Sequence, residues 1–233
     1  MFKSIVSVFL VFTVVISSSS AAEFCYSEIV SACSLAGGET QNCTAKYGAA
    51  HTVLKDLQNY ANLHITRNWQ FMLMSSHFNN YVKNREGFGK LYKKYSDKSW
   101  EDTIELIKYM AKRGGAHDFK YRKEMPSEIL SNTLVWGTPV LELDELPSLA
   151  KALGMWKTVA EEAHYIHGEI INHRQGYHDP ETSSYLEKEF VHDHAKIIRE
   201  LAGHTNDLKR LVHETPDSSL AVFLFDNYLQ KSA

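Results

Sequence analysis

Four stretches of this chain, roughly 49–78, a second ending at Arg113, 144–173 and 181–213, carry apolar side chains at three- and four-residue spacing. In the first, Val53, Leu57, Tyr60, Leu63, Arg67, Phe71, Met74 and Phe78 step along one helical face. Helices of about 28–33 residues span roughly 40–50 Å, and no strand-like alternation competes with them. Amphipathic helices of equal length have few ways to bury their stripes, and the four-helix bundle is the simplest. Asn79, Asn80 and Asn84 mark a short first connection, and Gly176 with Asp179-Pro180 a short third. Gly114-Gly115 supplies the helix stop after Arg113, and Pro147 a start signal for the third helix. Between them, residues 114–143 hold Pro126, Gly137 and Pro139, read as irregular and long enough to run the length of the bundle. The expected fold is therefore all-α, with one long crossover. Pro216 opens a fifth short helix, "PDSSLAVFLFDNYL", whose near absence of a polar face suggests burial against copies of itself.

The N-terminus is read apart from the bundle. Lys3, the apolar run 5–16, four serines and Ala21-Ala22 have the layout of a signal peptide, residues 1–22. That run is too short to span a bilayer, which takes about 20 apolar residues, so the expected product is soluble, lumenal or secreted, with no membrane partner. Residues 23–45 form a cysteine-bearing extension and 46–233 the helical domain. All three cysteines, Cys25, Cys33 and Cys43, fall in that extension, and in an oxidising compartment an odd count leaves one free or bonded to another chain. Asn42 heads the sequon Asn42-Cys43-Thr44. A net charge of −3 and the lack of a basic cluster with interleaved aromatics exclude a nucleic-acid partner.

Three segments carry a resemblance. "YMAKRGG" (109–115) is similar to the end of the second ferritin helix, "AKIIRELAGHTNDLKRL" (195–211) to the second half of the fourth, and "TPDSSLAVFLFDNYL" (215–229) to the short fifth. The chain is identified on these motifs, over about residues 45–230, as resembling the light-chain subunits of the secreted insect ferritins. The leader, the cysteine-bearing extension and the enlarged 114–143 crossover fit the same branch. The resemblance implies a ferritin-like bundle in a 24-subunit shell that stores ferric iron, co-assembled with a catalytic heavy-type subunit. An inter-subunit disulfide from one of the three cysteines is expected, with the other two bonded to each other.

Position by position, the resemblance also says what is missing. A catalytic subunit oxidises ferrous iron at a pair of metals held by hard carboxylate ligands. Here those positions hold His64, Ser99, Asp102, Trp156 and His194, and a nearby tyrosine position holds Phe71. An indole binds no iron and fills the space, so the subunit is expected to be no enzyme. His64, Asp102 and His194 are expected to lie together, either as a hydrogen-bond network with Asp102 accepting from both imidazoles, the favoured reading, or around one zinc or ferrous ion. The alternative function is a ferroxidase using those three as rearranged ligands. A monomeric signalling bundle fits neither the fifth helix nor the single crossover. For mineral nucleation only Glu101 matches, with Asp193 as companion, on a face otherwise bearing Lys90, Lys93, Lys94 and Lys98. Glu105 is read as plain helix surface. Glu187 falls where the family lines a three-fold iron channel, with Ser184 replacing the neighbouring aspartate.

Overall fold

The computed structural model describes residues 43–119, 134–135, 138–139, 143–172 and 176–232. The chain divides into two compact units, Met1–Ala45 and Lys46–Ala233, and the account below concerns the second. The expected leader (1–22), Cys25, Cys33 and Asn42 lie outside the described residues. Cys43 lies within them and is disulfide-bonded.

Helix α1 spans Ala50–Phe78 and α2 Glu86–Lys112. α3 covers Glu145–Ile171, α4 Pro180–Leu186, α5 His192–Glu214 and α6 Ser218–Ser232. The stripe read from sequence is the buried one: Val53, Leu57, Tyr60, Leu63, Phe71, Met74 and Phe78 all face the core. α2 stops as expected. Gly114 adopts φ +76°, and the Gly115 N–H donates to the Met110 carbonyl at 2.8 Å, closing the helix end as a left-handed cap does. α4 opens on a full cap: Asp179 accepts from the Thr182 N–H at 3.0 Å, and Pro180 follows it. Buried Asp179 also pairs with buried Arg113, tying the start of the fourth helix to the end of the second.

Two details depart from the sequence reading. The fourth helix is not uniform, because Glu187–Val191 forms a π-helical turn between α4 and α5. Such a turn takes up an extra residue and shifts the helix register; Leu186, Phe190 and His194 are all buried across it. The crossover expected to be irregular contains a two-residue antiparallel ladder, Leu134–Val135 against Thr138–Pro139.

The fifth helix has two faces rather than one apolar surface. Ala221, Phe225, Asp226 and Leu229 are buried against α2 and α5, while Leu220, Phe223, Leu224 and Tyr228 are about half exposed. Asp226 is the polar anchor that the apolar pattern concealed. Its Oδ1 accepts from the Phe88 N–H at 3.1 Å. The helices come so close there that a Cβ on Gly87 would sit 2.1 Å from the Asp226 carbonyl oxygen. Phe225 lies 6.0 Å from Phe88, extending a run of rings through Phe78 and Tyr92.

Candidate metal centre

Midway along the bundle, three helices each deliver one polar side chain to the interior. His64 comes from α1, Asp102 from α2 and His194 from α5, and all three are buried. One donor atom of each lies within 4.8 Å of the others, so the expected cluster forms. Aromatic rings wall it. Tyr60 meets the His64 ring edge-on at 4.6 Å, Trp156 lies 5.5 Å from the His194 ring, and Phe190 lies 5.9 Å from both imidazoles.

The favoured hydrogen-bond network is not made. His64 Nδ1 and Asp102 Oδ2 stand 3.7 Å apart, beyond hydrogen-bond reach. All four ring nitrogens of His64 and His194, together with Asp102 Oδ2, have no hydrogen-bond partner among the described residues. The physical reason is Lys98. One helical turn before Asp102, its ammonium donates to Asp102 Oδ1 at 2.8 Å and holds the carboxylate towards itself. In sequence Lys98 reads only as part of the charged face shared with Lys90, Lys93 and Lys94, and on that side its second partner, Asp193, lies at 3.5 Å.

Burial shapes the protonation of the group. It drives the His64 pKa well below the ordinary imidazole value, helped by the nearby His194 and Lys98. His194 falls to about 4 through burial first and then the charge of Lys98. Burial raises Asp102 to about 6, with the Lys98 hydrogen bond and charge working against the rise. At neutral pH the site therefore holds two neutral imidazoles, a carboxylate and one ammonium: donors ready to bind a cation without losing a proton first.

Ser99 and Trp156 complete the set. Ser99 is fully buried with an unpartnered hydroxyl, and the Trp156 indole N–H is likewise unpartnered among the described residues. Trp156 is 1% exposed and packs against Phe71 at 6.0 Å and Tyr95 at 5.9 Å. One carboxylate and an indole at these positions do not fit a carboxylate-bridged pair of metals.

Glu101 is exposed, and it shares a groove of about 480 Å³ with Asp193. Lys94, Lys98 and Lys196 line the same groove, and Asp193 pairs with the last two, its pKa lowered chiefly by the hydrogen bond from Lys196. Glu105 is exposed and paired with Lys108 at 3.0 Å, as plain helix surface should be. Glu187 lies in the π-helical turn, bonded to the His167 ring at 2.7 Å, and lines a groove with His178 and Ser184. Phe71 is buried in the aromatic core, where it has no hydroxyl to offer the cluster.

Comparison with known proteins places these features. The Ferritin-like domain description matches residues 54–211. A ferritin light chain of Trichoplusia ni is 42% identical over 224 residues, covering 93% of this chain and 94% of that protein. A ferritin light chain of Drosophila melanogaster is 39% identical over 210 residues, 90% of each. Among solved structures, Trichoplusia ni secreted ferritin superposes with a TM-score of 0.80 at 40% identity, covering 91% of this chain and all of the matched one.

Proposed function

The chain belongs to the ferritin family, and from that premise we propose that it is a non-catalytic light-type subunit of a secreted, iron-storing shell. The observation that carries this reading is Trp156. Where a ferroxidase would place a metal-bridging carboxylate, a buried indole stacks into the core, and only Asp102 supplies a carboxylate. Iron is the cargo, and its oxidation is assigned to a heavy-type subunit sharing a 24-subunit assembly. The half-exposed residues of α6, Leu220, Phe223, Leu224 and Tyr228, support burial between copies, since apolar groups of that size gain by leaving water.

Glu187 is assigned to a three-fold channel, where His167 beside it adds a second donor to the one carboxylate. Glu101 and Asp193 are the best carboxylates for ferric mineral, but three lysines in their groove make this subunit a weak nucleator. The leader and the secreted relative support secretion. One of Cys25, Cys33 and Cys43 is assigned to the heavy-type partner and the other two to each other.

Oxygen consumption in ferrous iron tests the central claim. This subunit alone should oxidise iron at the uncatalysed rate, and a shell containing the heavy-type partner should oxidise it fast. Saturable oxidation by the isolated subunit would instead establish a rearranged ferroxidase. Weighing the native complex and running it with and without reductant tests the assembly, which requires a heterodimer band that reductant dissolves.

A further inference from the structure

We propose that His64, Asp102 and His194 form a mononuclear site for one divalent transition-metal ion, zinc being the type case. The inference goes beyond the light-type reading and does not depend on it, because a structural ion and an inert subunit are compatible.

Three observations converge on the site. Each donor comes from a different helix, and their ligand atoms already lie within 4.8 Å of one another. Buried polar atoms normally find partners, yet five on these three side chains have none among the described residues: both nitrogens of each imidazole and Asp102 Oδ2. Finally, the donor types are selective. Two imidazoles and a carboxylate suit zinc, cobalt or ferrous ion, whereas magnesium and calcium prefer all-oxygen shells.

Size and charge limit the site to one ion. Zinc-type bonds of about 2.0–2.2 Å place tetrahedral donors on the order of 3.3 Å apart, so binding draws these three together by up to about 1.5 Å. Small side-chain rotations cover that distance. A second ion is excluded by Trp156, whose ring sits 5.5 Å from that of His194, and by the lack of a bridging carboxylate. The fourth coordination position falls to water or to Ser99, one turn before Asp102 on the same buried face.

Lys98 is the positioning residue of the site. Its hydrogen bond fixes Asp102 Oδ1, which leaves Oδ2 on the side of His64. Its ammonium also repels an incoming cation, a penalty that Asp193 at 3.5 Å partly offsets. Lys98 thus orients the carboxylate ligand while lowering affinity. This predicts an effect that a ligand-free hydrogen-bond cluster does not share.

The test uses cobalt(II), a redox-quiet probe for zinc sites, in the native assembly after chelator treatment. Assemblies carrying the unmutated chain should bind one tight cobalt more per copy of this chain than assemblies carrying His194→Asn. That extra ion should show the intense visible absorption of four-coordinate cobalt with imidazole ligands. At mildly alkaline pH, Lys98→Gln should tighten binding by about tenfold or more, because a unit charge beside a poorly screened ion is removed. Equal cobalt counts in the two assemblies would overturn the proposal. So would unchanged affinity in Lys98→Gln, which decides the matter if His194→Asn fails to assemble.

Discussion

Replacing Trp156 with alanine measures how far this buried indole holds the bundle together. The indole is 1% exposed and touches Phe71, Tyr95 and His194, side chains from α1, α2 and α5. Burying 150–250 Å² of such a ring at about 25 cal/mol per Å² stabilises the fold by about 4–6 kcal/mol. Large aromatic truncations in cores cost about 3–5 kcal/mol, because their neighbours relax only partly into the cavity. Taking about 4 kcal/mol, and about 2–4 °C per kcal/mol for a domain of this size, the midpoint should fall by about 8–16 °C. Shells tend to unfold irreversibly, so the comparison needs scans of the same assembly at one heating rate. Trp156→Glu should fall further still, since it refills the indole's space only in part and adds a carboxylate to a pocket already holding Asp102. A drop below about 3 °C for Trp156→Ala, or Trp156→Glu more stable than Trp156→Ala, would refute the packing argument.

Two further substitutions probe the two faces of α6. Gly87→Ala drives a methyl group into the Asp226 backbone carbonyl, which cannot rotate away as a side chain could, so α6 must lift from α2. The expected cost is about 1–3 kcal/mol of overpacking, read as a lower unfolding midpoint and faster proteolysis within 218–232; an unchanged midpoint refutes the close approach. Phe223→Asp acts on the opposite face, where the ring is 54% exposed. It should abolish full-size particles on gel filtration while helical circular dichroism is retained, and normal assembly would show that the α6 contact lies elsewhere.

Helix existence and order were readable because long, strongly periodic segments leave little choice. The α1 stripe from Val53 to Phe78 points inward almost without exception, and Gly114-Gly115 stops α2 by a mechanism visible in two letters. The π-helical turn at Glu187–Val191 was not readable. One extra residue inside a helix leaves the flanking periodicity nearly intact, and nothing in "EKEFV" announces it. Asp226 was missed because it lies within an apolar run, where a single acid reads as solvent-facing. Its partner is a backbone N–H 138 residues away, which no local pattern can reveal.

The cluster of His64, Asp102 and His194 shows how far placement and bonding differ in what they demand of a sequence. That His64, Asp102 and His194 converge followed from placing three helices side by side, which needs accuracy of only a few ångströms. Whether Asp102 bonds the imidazoles is decided within one ångström, between 3.7 Å to His64 and 2.8 Å to Lys98. Helical arithmetic did hold the clue, since residues four apart share a face and Lys98 stands four before Asp102. A buried carboxylate with a lysine at that spacing is drawn towards the ammonium, because the charge-assisted bond is stronger than one to a neutral imidazole. The lysine that lines the outer groove beside Glu101 and Asp193 is therefore the same one that leaves two imidazoles without a proton partner. Surface charge and interior chemistry of this subunit are coupled through one side chain, so Lys98→Gln should change both: a more acidic groove outside, and inside an Asp102 free to turn towards His64.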